Sequence, residues 1–399
     1  MADGFWIDAG EKLLPDVTRL RRAIHCEPEL GLHLPKTTAK AKAALEGQPL
    51  EIREGPSTSG FVAVLRGPEN GRSIILRGDM DALPLQEDTG LDFASLTRGA
   101  MHACGHDAHT AMLVGAAHAL CANRERLAGS VYFMFQPGEE GHHGARFMLE
   151  DGLLDPIPDA AFAIHVSPNL PNGVVASRAG PLLAACDTVT ITVKGQGGHA
   201  SMPHDAVDPI PIACELVGAI QQMVTRQVPA FHPSVVTIAR IAAGTTDNVI
   251  PETAEILGTI RSFSEDTRRR VHDGLRRLAE HIPAAHKAQG IIDIERGFPV
   301  TVCDDRAVAL AERTTAALWG QDAWFAMPTP MMGAEDFSYV LQKTPGVMVM
   351  LGVSPKGGDW RTCCPLHSNR MVLEEAMMAR GVALHCAYAE TFLAEGFGG

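Results

Sequence analysis

The sequence predicts a two-domain α/β protein: a mixed central sheet with helices on both faces, and an inserted ferredoxin-like α+β domain. Three observations lead to this fold class. The length of 399 residues exceeds that of a usual single domain. Short apolar runs alternate with a helical pattern in the first part of the chain. Strictly alternating strands and amphipathic helices follow in the middle of the chain.

The first part of the chain predicts an α/β layer. Apolar runs of the kind that form strands buried on both faces occupy 72–77 (RSIILR), 131–136 (VYFMFQ) and 161–166 (AFAIHV). Residues 109–123 (HTAMLVGAAHALCAN), which lie between the first two runs, have an apolar helical pattern. Strands separated by a helix of this kind indicate a sheet covered by helices.

The middle of the chain predicts a separate domain with the order β-α-β-β-α-β, which is ferredoxin-like. Its predicted elements, in order, are strand 188–193, helix 205–226, strands 234–240 and 254–261, helix 266–282 and strand 290–297. We place this domain at residues 186–297. Residues 1–185 and 298–399 then form the first domain, which holds the candidate catalytic residues discussed below.

The composition excludes several functional classes. A formal net charge of −13 argues against nucleic acid as a partner, because phosphate binding needs a basic face. No apolar run approaches the roughly 18 residues of a membrane span, and the acidic first eleven residues do not resemble a secretory signal. The nine scattered cysteines do not suggest a disulfide framework. We therefore expect a cytoplasmic protein.

Residues 102–109 (HACGHDAH) form the most chemically distinctive segment of the chain. Cys104 and His106 are two residues apart, and thiolate and imidazole are good ligands for zinc and related ions. A small buried cysteine beside a capping histidine explains this pair equally well. Two more histidines and an aspartate crowd the same eight residues, however, and a polar cluster on a buried turn requires a functional or structural reason.

Adjacent carboxylates, Glu139 and Glu140, follow the apolar run 131–136 and a Pro-Gly turn. At the carboxyl end of a strand they would face the crevice where α/β sheets bind ligands. One carboxylate could ligate a metal while its neighbour acts as general base on a metal-activated water. For this segment alone, a solvated pair of glutamates on a loop is the commoner outcome.

Further candidate ligands and supporting residues lie near other predicted strand ends. Asp79 and Asp81 are separated by one residue, so both can reach one site, and one could orient a ligand histidine. Asp79 could alternatively cap a turn. His165 ends a predicted strand and His367 lies in the segment PLHSN; each, taken alone, is more often structural. Together these residues make up the set of ligands expected of a metal hydrolase.

These motifs closely resemble those of the M20 metallopeptidase family, in the branch of hippurate hydrolases, N-acyl-amino-acid amidohydrolases and plant auxin-conjugate hydrolases. The resemblance runs from residues 21–31 (RRAIHCEPELG) to the His367 segment. It implies metal-dependent hydrolysis of the amide bond of N-acyl (aroyl or acetyl) L-amino acids, which gives a carboxylic acid and a free amino acid. The expected partner is therefore a small-molecule N-acyl amino acid.

The resemblance implies two divalent ions, drawn from Zn, Mn, Co or Ni, and a role for each candidate residue. Cys104 would bridge the two ions, and Glu139 would be the general base and acid. It would take a proton from the water that bridges the metals and attacks the carbonyl, and later donate it to the leaving amine. Asp79 and Asp81 would support the site. The remaining implied ligands are His106, Glu140, His165 and His367.

The inserted domain resembles the family's lid and dimerisation domain, so the implied assembly is a homodimer or a dimer of dimers. His199, in residues 197–201 (GGHAS), resembles the histidine that stabilises the tetrahedral oxyanion. Asn248 and Arg261 resemble residues that hold the substrate, and an arginine could clamp a carboxylate with two hydrogen bonds. From the residues alone, a structural histidine in a glycine turn and a solvated strand-end arginine are the alternatives.

The sequence departs from this branch at two places. His142 and His143 follow the glutamate pair where the branch usually has glycines. Two imidazoles there would narrow or polarise the pocket, or point to solvent. Cys363 and Cys364 lie just before His367. They offer a third thiolate ligand or, as the commoner outcome, two small buried residues.

Three alternative functions remain compatible with the sequence. The first is a dipeptidase or a desuccinylase-like deacylase of the same family. The second is a non-catalytic ligand-binding member, although retention of Glu139 argues against it. The third is nucleophilic catalysis by Cys104, which we disfavour because a bridging thiolate is already occupied.

Overall fold

The computed structural model describes residues 4–398; residues 1–3 and 399, at the two ends of the predicted first domain, lie outside that range. The chain divides into two compact units. Unit 1 comprises residues 1–182, 302–329 and 336–399, and unit 2 comprises residues 183–301 and 330–335. The α-helices of the described residues are α1 (Phe5–His25), α2 (Pro35–Ala44), α3 (His106–Ala122), α4 (Gly144–Glu150), α5 (Pro209–Gln227), α6 (Glu265–Ala285), α7 (Asp305–Trp319), α8 (Ser338–Leu341) and α9 (Met378–Glu395).

The strands alternate with these helices along the chain. They are β1 (Leu50–Glu54), β2 (Phe61–Arg66), β3 (Arg72–Asp79), β4 (Gly129–Gln136), β5 (Ala160–Ser167), β6 (Val175–Ser177), β7 (Gly180–Leu183), β8 (Ala185–Lys194), β9 (Gly198–His199), β10 (Ser234–Ala243), β11 (Val249–Ile250), β12 (Thr253–Ser262), β13 (Gln289–Arg296), β14 (Thr301–Cys303), β15 (Trp324–Ala326) and β16 (Gly346–Gly352). Between residues 4 and 398, no helix combines the length and the apolar character that a membrane crossing requires.

Unit 1 is built on an eight-stranded mixed sheet with the order β1-β2-β4-β3-β5-β16-β6-β15. Four adjacent strands, β4, β3, β5 and β16, run parallel to one another. Strand β2 pairs antiparallel with both β1 and β4, and β6 pairs antiparallel with β16. The parallel strands are almost entirely buried, as their continuous apolar runs predict. The predicted mixed sheet with packed helices is confirmed, and it brings the carboxyl ends of the parallel strands to one edge.

Unit 2 contains a four-stranded antiparallel sheet with the order β10-β12-β8-β13. Helices α5 and α6 join these strands in the order β-α-β-β-α-β, and buried side chains of both helices share one apolar cluster with the sheet. The expected helix start at residue 205 is wrong, because α5 begins at Pro209. Asp208 accepts a hydrogen bond from the Ile210 N–H (3.0 Å), and proline suits the first helical position.

A buried charged network joins α1 to the start of α3. Asp107 Oδ2 accepts hydrogen bonds from Arg21 Nε (2.9 Å) and His25 Nδ1 (2.8 Å). The other His25 nitrogen, Nε2, lies 3.2 Å from Glu87 Oε1. Burial acts to lower the pKa of His25, but the carboxylates of Asp107 and Glu87 outweigh it and raise the pKa to about 9. His25 is therefore a cation at neutral pH.

Replacing His25 with Gln is expected to remove a pH-dependent part of the stability. The folded pKa lies above the usual value of 6.5, so the contribution is complete below that pH and disappears as the pH rises through about 9. The difference between the folded pKa of about 9 and the usual value of 6.5 corresponds to about 3 kcal/mol of the free energy of unfolding. Urea midpoints of both proteins between about pH 6 and 10 measure it. An identical pH slope in wild type and variant would assign the effect to other groups.

Candidate metal centre

The carboxyl ends of β3, β4 and β5 bring three groups of polar side chains together. Asp79 is the last residue of β3, and His165 lies two residues before the end of β5. Glu139 and Glu140 follow β4 after a turn at Gly138, whose φ of 68° is left-handed. These strands are parallel neighbours, so their ends meet at the edge where α/β sheets bind ligands.

The segment that carries Cys104 reaches the same edge through a tight turn at Gly105. Its φ of 89° is left-handed, and a Cβ there would lie 2.3 Å from Val166 Cγ2. Only glycine therefore fits between Cys104 and His106. Helix α3 begins at His106, so the turn places the thiol just before the helix and the imidazole in its first turn.

His367 approaches from the long segment that follows β16. Its backbone N–H donates a hydrogen bond to Ala103 O (2.8 Å), which places it beside the Cys104 turn. Its φ of 65° is left-handed, a conformation that non-glycine residues adopt mainly where the surroundings enforce it. His367 Nε2 lies 3.2 Å from Glu140 Oε1. The backbone thus directs this imidazole at the second glutamate of the pair.

The five predicted ligands form two overlapping groups, and both contain Cys104. One group is Cys104, His106 and His165; the other is Cys104, Glu140 and His367. Within each group the candidate ligand atoms all lie within 4.8 Å of one another, and Cys104 Sγ lies 3.4 Å from His165 Nε2. This arrangement fits a pair of cation sites that share one thiolate.

Hydrogen bonds orient the imidazoles for ligation. His106 Nδ1 donates to Asp81 O (2.8 Å) and His165 Nδ1 donates to Val166 O (2.7 Å), so both Nε2 lone pairs face the centre. His106 Nε2 is buried and has no hydrogen-bond partner among the described residues, which is costly unless a ligand occupies it.

The electrostatics of two buried donors, His165 and Cys104, also fit bound cations. Burial holds the pKa of His165 well below its usual range, so this imidazole is neutral, as ligation requires. Burial raises the pKa of the Cys104 thiol, so a thiolate at this position needs cations beside it. The sulfur, nitrogen and oxygen donors together suit zinc and related divalent ions.

Asp81 holds the glutamate pair through its backbone. The Asp81 carboxylate accepts hydrogen bonds from the Glu139 N–H (2.9 Å) and the Glu140 N–H (3.0 Å), one at each oxygen. Its backbone carbonyl accepts the bond from His106 described above. Asp81 is buried, so these bonds are shielded from water. It therefore orients the pair and one imidazole at once.

Replacing Asp81 with Asn is expected to weaken cation binding and lower kcat by roughly 10–100-fold. An amide has one acceptor oxygen, so one of the Glu139 and Glu140 amides would face an NH₂ group. Metal titration and steady-state kinetics measure the two effects. Asp159→Asn is the control, because Asp159 bonds the Ser73 N–H and hydroxyl near the opposite end of β3. Equal losses in both variants would remove the assigned role of Asp81.

A second buried network was not predicted from the sequence. Arg77 Nε donates to Gln136 Oε1 (2.8 Å), and Gln136 Nε2 donates to Asp336 Oδ1 (2.6 Å). Arg77 Nη1 also lies 2.5 Å from Asp79 Oδ2. One signal was available: an arginine inside the apolar run 72–77 cannot be buried without an acidic or polar partner.

The two histidines that depart from the branch do not share one environment. His142 is exposed. His143 is half-buried, adopts a left-handed φ of 59°, and its Nδ1 lies 2.9 Å from the Tyr339 hydroxyl. His143 is therefore held against Tyr339, whereas His142 faces solvent.

The vicinal cysteines are half-buried, so the expectation of two buried residues is wrong in degree. Cys363 Sγ donates to Pro168 O (2.9 Å), which ties the segment before His367 to the chain just after β5. Neither Cys363 nor Cys364 belongs to a ligand group among residues 4–398. The Cys363 thiol is engaged by a backbone carbonyl.

The other three predicted site residues belong to unit 2. His199 pairs with Val249 in the short β9–β11 ladder, and the Ala200 N–H donates to Asn248 O (3.1 Å). His199 and Asn248 therefore lie on adjoining segments. Arg261 is near the end of β12, a different strand of the same unit.

Fold and centre together define a metal-dependent hydrolase, with imidazole, thiolate and carboxylate donors at the strand ends of a mixed sheet. Residues 75–391 match Peptidase family M20/M25/M40, and the chain belongs to this family. The predicted membership is confirmed, and the protein is an amidohydrolase or deacylase of that family.

Relatives cover almost the whole chain. The chain is 40% identical to N-acetylcysteine deacetylase of Bacillus subtilis, over 84% of this chain and 87% of the relative. It is 36% identical to thermostable carboxypeptidase 1 of Saccharolobus solfataricus, over 97% and 99% of the two chains. It is also similar to a crystal structure of a B. subtilis dinuclear metal-binding peptidase of the M20 family, with a TM-score of 0.84, 34% identity, and coverage of 96% of this chain and 99% of the other.

Proposed function

We propose that the protein hydrolyses the amide bond of N-acetyl or N-aroyl L-amino acids to a carboxylic acid and a free amino acid. One observation carries the proposal: a buried carboxylate, Glu139, lies beside two ligand groups that share Cys104. Glu139 Oε2 is 4.0 Å from His106 Nε2, and the residue is only 6% exposed. A base held this close to two candidate cation sites is the arrangement that metal-assisted hydrolysis needs.

Each group of residues has a separate role in the proposed reaction. Zn, Mn, Co or Ni ions, when bound by Cys104 and its four partners, would polarise the amide carbonyl and lower the pKa of the attacking water. Glu139 takes a proton from that water as the new C–O bond forms. It then gives the proton to the amine nitrogen as the C–N bond breaks. Asp81 keeps Glu139 in place through the Glu139 N–H.

His199 is proposed to stabilise the oxyanion of the tetrahedral intermediate. The Ser201 N–H donates to His199 Nδ1 (3.1 Å), and the Ser201 hydroxyl lies 2.8 Å from the same nitrogen. A backbone N–H can only donate, so Nδ1 accepts and the ring proton is on Nε2. This tautomer offers the N–H donor that an oxyanion requires.

Asn248 and Arg261 are proposed to hold the substrate. Arginine binds carboxylates with two parallel hydrogen bonds, and the amino-acid half of an N-acyl amino acid carries a free carboxylate. The similarity to N-acetylcysteine deacetylase supports an N-acyl amino acid as the substrate class.

A substrate panel tests the proposal. The protein is loaded separately with Zn²⁺, Mn²⁺, Co²⁺ or Ni²⁺ and assayed on hippurate and a series of N-acetyl-L-amino acids that includes N-acetyl-L-cysteine. Release of free amino acid is expected, and Glu139→Gln prepared in parallel measures any contaminating activity. No turnover above that variant on the whole panel, with any metal, would reject the proposal.

A second candidate is hydrolysis of a peptide or of a different acyl group by the same centre. The similarity to a carboxypeptidase favours a peptide substrate with a free carboxyl terminus. Gly-X dipeptides and N-succinyl amino acids extend the panel. A kcat/KM for either class above that for every acetyl and aroyl substrate would select a dipeptidase or desuccinylase-like deacylase.

The proposed assembly is a homodimer, or a dimer of dimers, through unit 2. Strand β10 is at one edge of the four-stranded sheet, and its Val235 and Ile241 are 37% and 47% exposed. An exposed apolar edge strand favours pairing with another chain. Light scattering on wild type and an Ile241→Lys variant tests this, and a monomeric wild type would contradict it.

We also propose a cytoplasmic location. All nine cysteines lie within the described residues and are free, and unpaired cysteines are typical of reducing compartments.

A further inference from the structure

A chain of buried hydrogen bonds joins the strand ends that carry the metal centre, and it passes through His109. His109 Nδ1 lies 2.6 Å from Asp79 Oδ1, and the Val166 N–H donates to His109 Nε2 over 2.8 Å. His109 and Asp79 are 1% and 0% exposed. The imidazole thereby connects the end of β3 to the end of β5.

Both His109 nitrogens are fully used by these contacts. The Val166 N–H can only donate, so Nε2 accepts and the ring proton is on Nδ1, where it donates to Asp79. A candidate ligand atom of His109 lies within 4.8 Å of those of Asp79 and His106, which resembles a third ligand group. The hydrogen bonds exclude His109 from ligation, because neither nitrogen has a free lone pair directed at a cation.

The contacts of His109 reach one ligand group only. Val166 directly follows His165, and the His109 and His165 rings lie 4.6 Å apart between centroids. Asp79, the other partner, places Oδ2 3.5 Å from His106 Nε2. His109 thus fixes the backbone beside one imidazole ligand and the carboxylate beside the other.

The remaining ligands are held by different contacts. Glu140 is fixed by the Asp81 carboxylate, and His367 is fixed by Ala103 O. Neither contact passes through His109. Asp81 also accepts a hydrogen bond from His106 through its backbone carbonyl, so it contacts both groups, whereas His109 contacts the supports of one group only.

We propose that His109 is a positioning residue that holds the group Cys104, His106 and His165 in its ligating geometry and leaves the group Cys104, Glu140 and His367 intact. The inference rests on the proposed two-ion centre. It adds that one cation site can be weakened through His109 while the other is retained.

Calorimetric titration of the metal-free chain with Zn²⁺ tests this without an activity assay. Wild type is expected to bind two Zn²⁺ ions. His109→Phe keeps an aromatic ring and loses both hydrogen bonds, so one Zn²⁺ ion should bind as in wild type and the other 10–100-fold more weakly. With Co²⁺, the sulfur-to-metal charge-transfer absorption should persist, because the Cys104 thiolate still binds the retained ion.

Two polar variants distinguish the two hydrogen bonds of His109, the one to Asp79 and the one from Val166. The amide of Asn can replace Nδ1 as a donor to Asp79, whereas the longer Gln can place its oxygen near Nε2 and accept from Val166. The hydrogen bond with Val166 supports the neighbouring His165 directly, so His109→Gln should restore more of the Zn²⁺ affinity of the weakened site than His109→Asn. The reverse order would overturn the proposal, and this comparison decides the question even if His109→Phe does not fold.

His118→Phe is the matched control on the same helix. His118 Nε2 lies 2.7 Å from Ala44 O and its Nδ1 3.2 Å from Gln48 Nε2, so it also has two contacts, about 14 Å further along the axis of α3. Both Zn²⁺ affinities should stay unchanged in this variant.

Four further results would overturn the inference. The first is two unchanged affinities in His109→Phe, the second is parallel loss of both sites, and the third is the same selective loss in His118→Phe. The fourth is a wild type that binds fewer than two ions, which would also reject the two-ion proposal. If the wild type hydrolyses its substrate but His109→Phe shows no selective loss of one Zn²⁺ site, only the role of His109 is rejected and the proposed function is retained.

Discussion

Replacing Glu139 with Gln is expected to lower kcat by roughly 10²–10⁴-fold while two metal ions remain bound. The amide keeps the shape of the side chain but cannot take a proton from water. Glu139 is absent from the two groups that contain Cys104, although it forms a candidate group with His106 and Glu140. Because its proposed role is that of a base and not of a ligand, we expect the metal content not to change. Steady-state kinetics and elemental analysis of the same preparation measure both quantities.

The neighbouring residue provides a matched control. Glu140→Gln is the same isosteric change one position along, but Glu140 belongs to the group with Cys104 and His367. This variant should lose metal as well as activity. Unchanged activity in Glu139→Gln would remove the general base, and loss of metal in that variant would make Glu139 a ligand instead.

Replacing Cys104 with Ala is expected to abolish turnover and to weaken both cation sites by more than about 100-fold. The loss of a shared ligand should exceed the 10–100-fold loss typical of residues that only support ligands. Titration with Zn²⁺ and the thermal midpoint with and without metal measure the effect, since ligand binding stabilises the folded state.

Cys121→Ala is the control for Cys104. Both cysteines are 6% exposed, and Cys121 lies on α3, whose first residue follows the Cys104–Gly105 turn. It should keep two metal ions and full turnover. A Cys104→Ala chain that retained both ions but lost activity would contradict the shared thiolate and support a cysteine nucleophile.

The positions of the candidate ligands were predictable because the motifs mark strand ends. An apolar run followed by a carboxylate or imidazole places that side chain at the edge where parallel strands bind ligands. The runs at 72–77, 131–136 and 161–166 all form central strands, and each strand is two residues longer than its run. The structure therefore collects Cys104 and its four predicted partners at one place, as their spacing and family resemblance imply.

The supporting contacts could not be predicted in the same way. The hydrogen bonds from the two glutamate amides to Asp81 and the bond from the Val166 N–H to His109 connect residues 57–59 positions apart in the chain. They depend on strand order and side-chain rotamers, which periodicity does not encode. The start of α5 was also placed wrongly, because the predicted helix began at residue 205, which is the last residue of a separate short turn at 203–205.

The fold of unit 2 was predictable from the sequence, but its role was not. Its elements follow from clear alternating and amphipathic patterns, and its strand order agrees with the predicted ferredoxin-like unit. Its role as lid and dimerisation domain, and the substrate contacts of Asn248 and Arg261, stay predictions. They concern chemistry that needs a bound substrate or a second chain.

Turnover as a function of bound metal tests the central claim most directly. The chain is stripped with a chelator, then titrated with one of the four divalent ions while hydrolysis of the best substrate of the panel is followed. We expect no turnover in the stripped chain, recovery with added ions, and a plateau at two ions per chain. Full turnover in the metal-free chain would contradict a hydrolytic centre built on Cys104, His106, Glu140, His165 and His367.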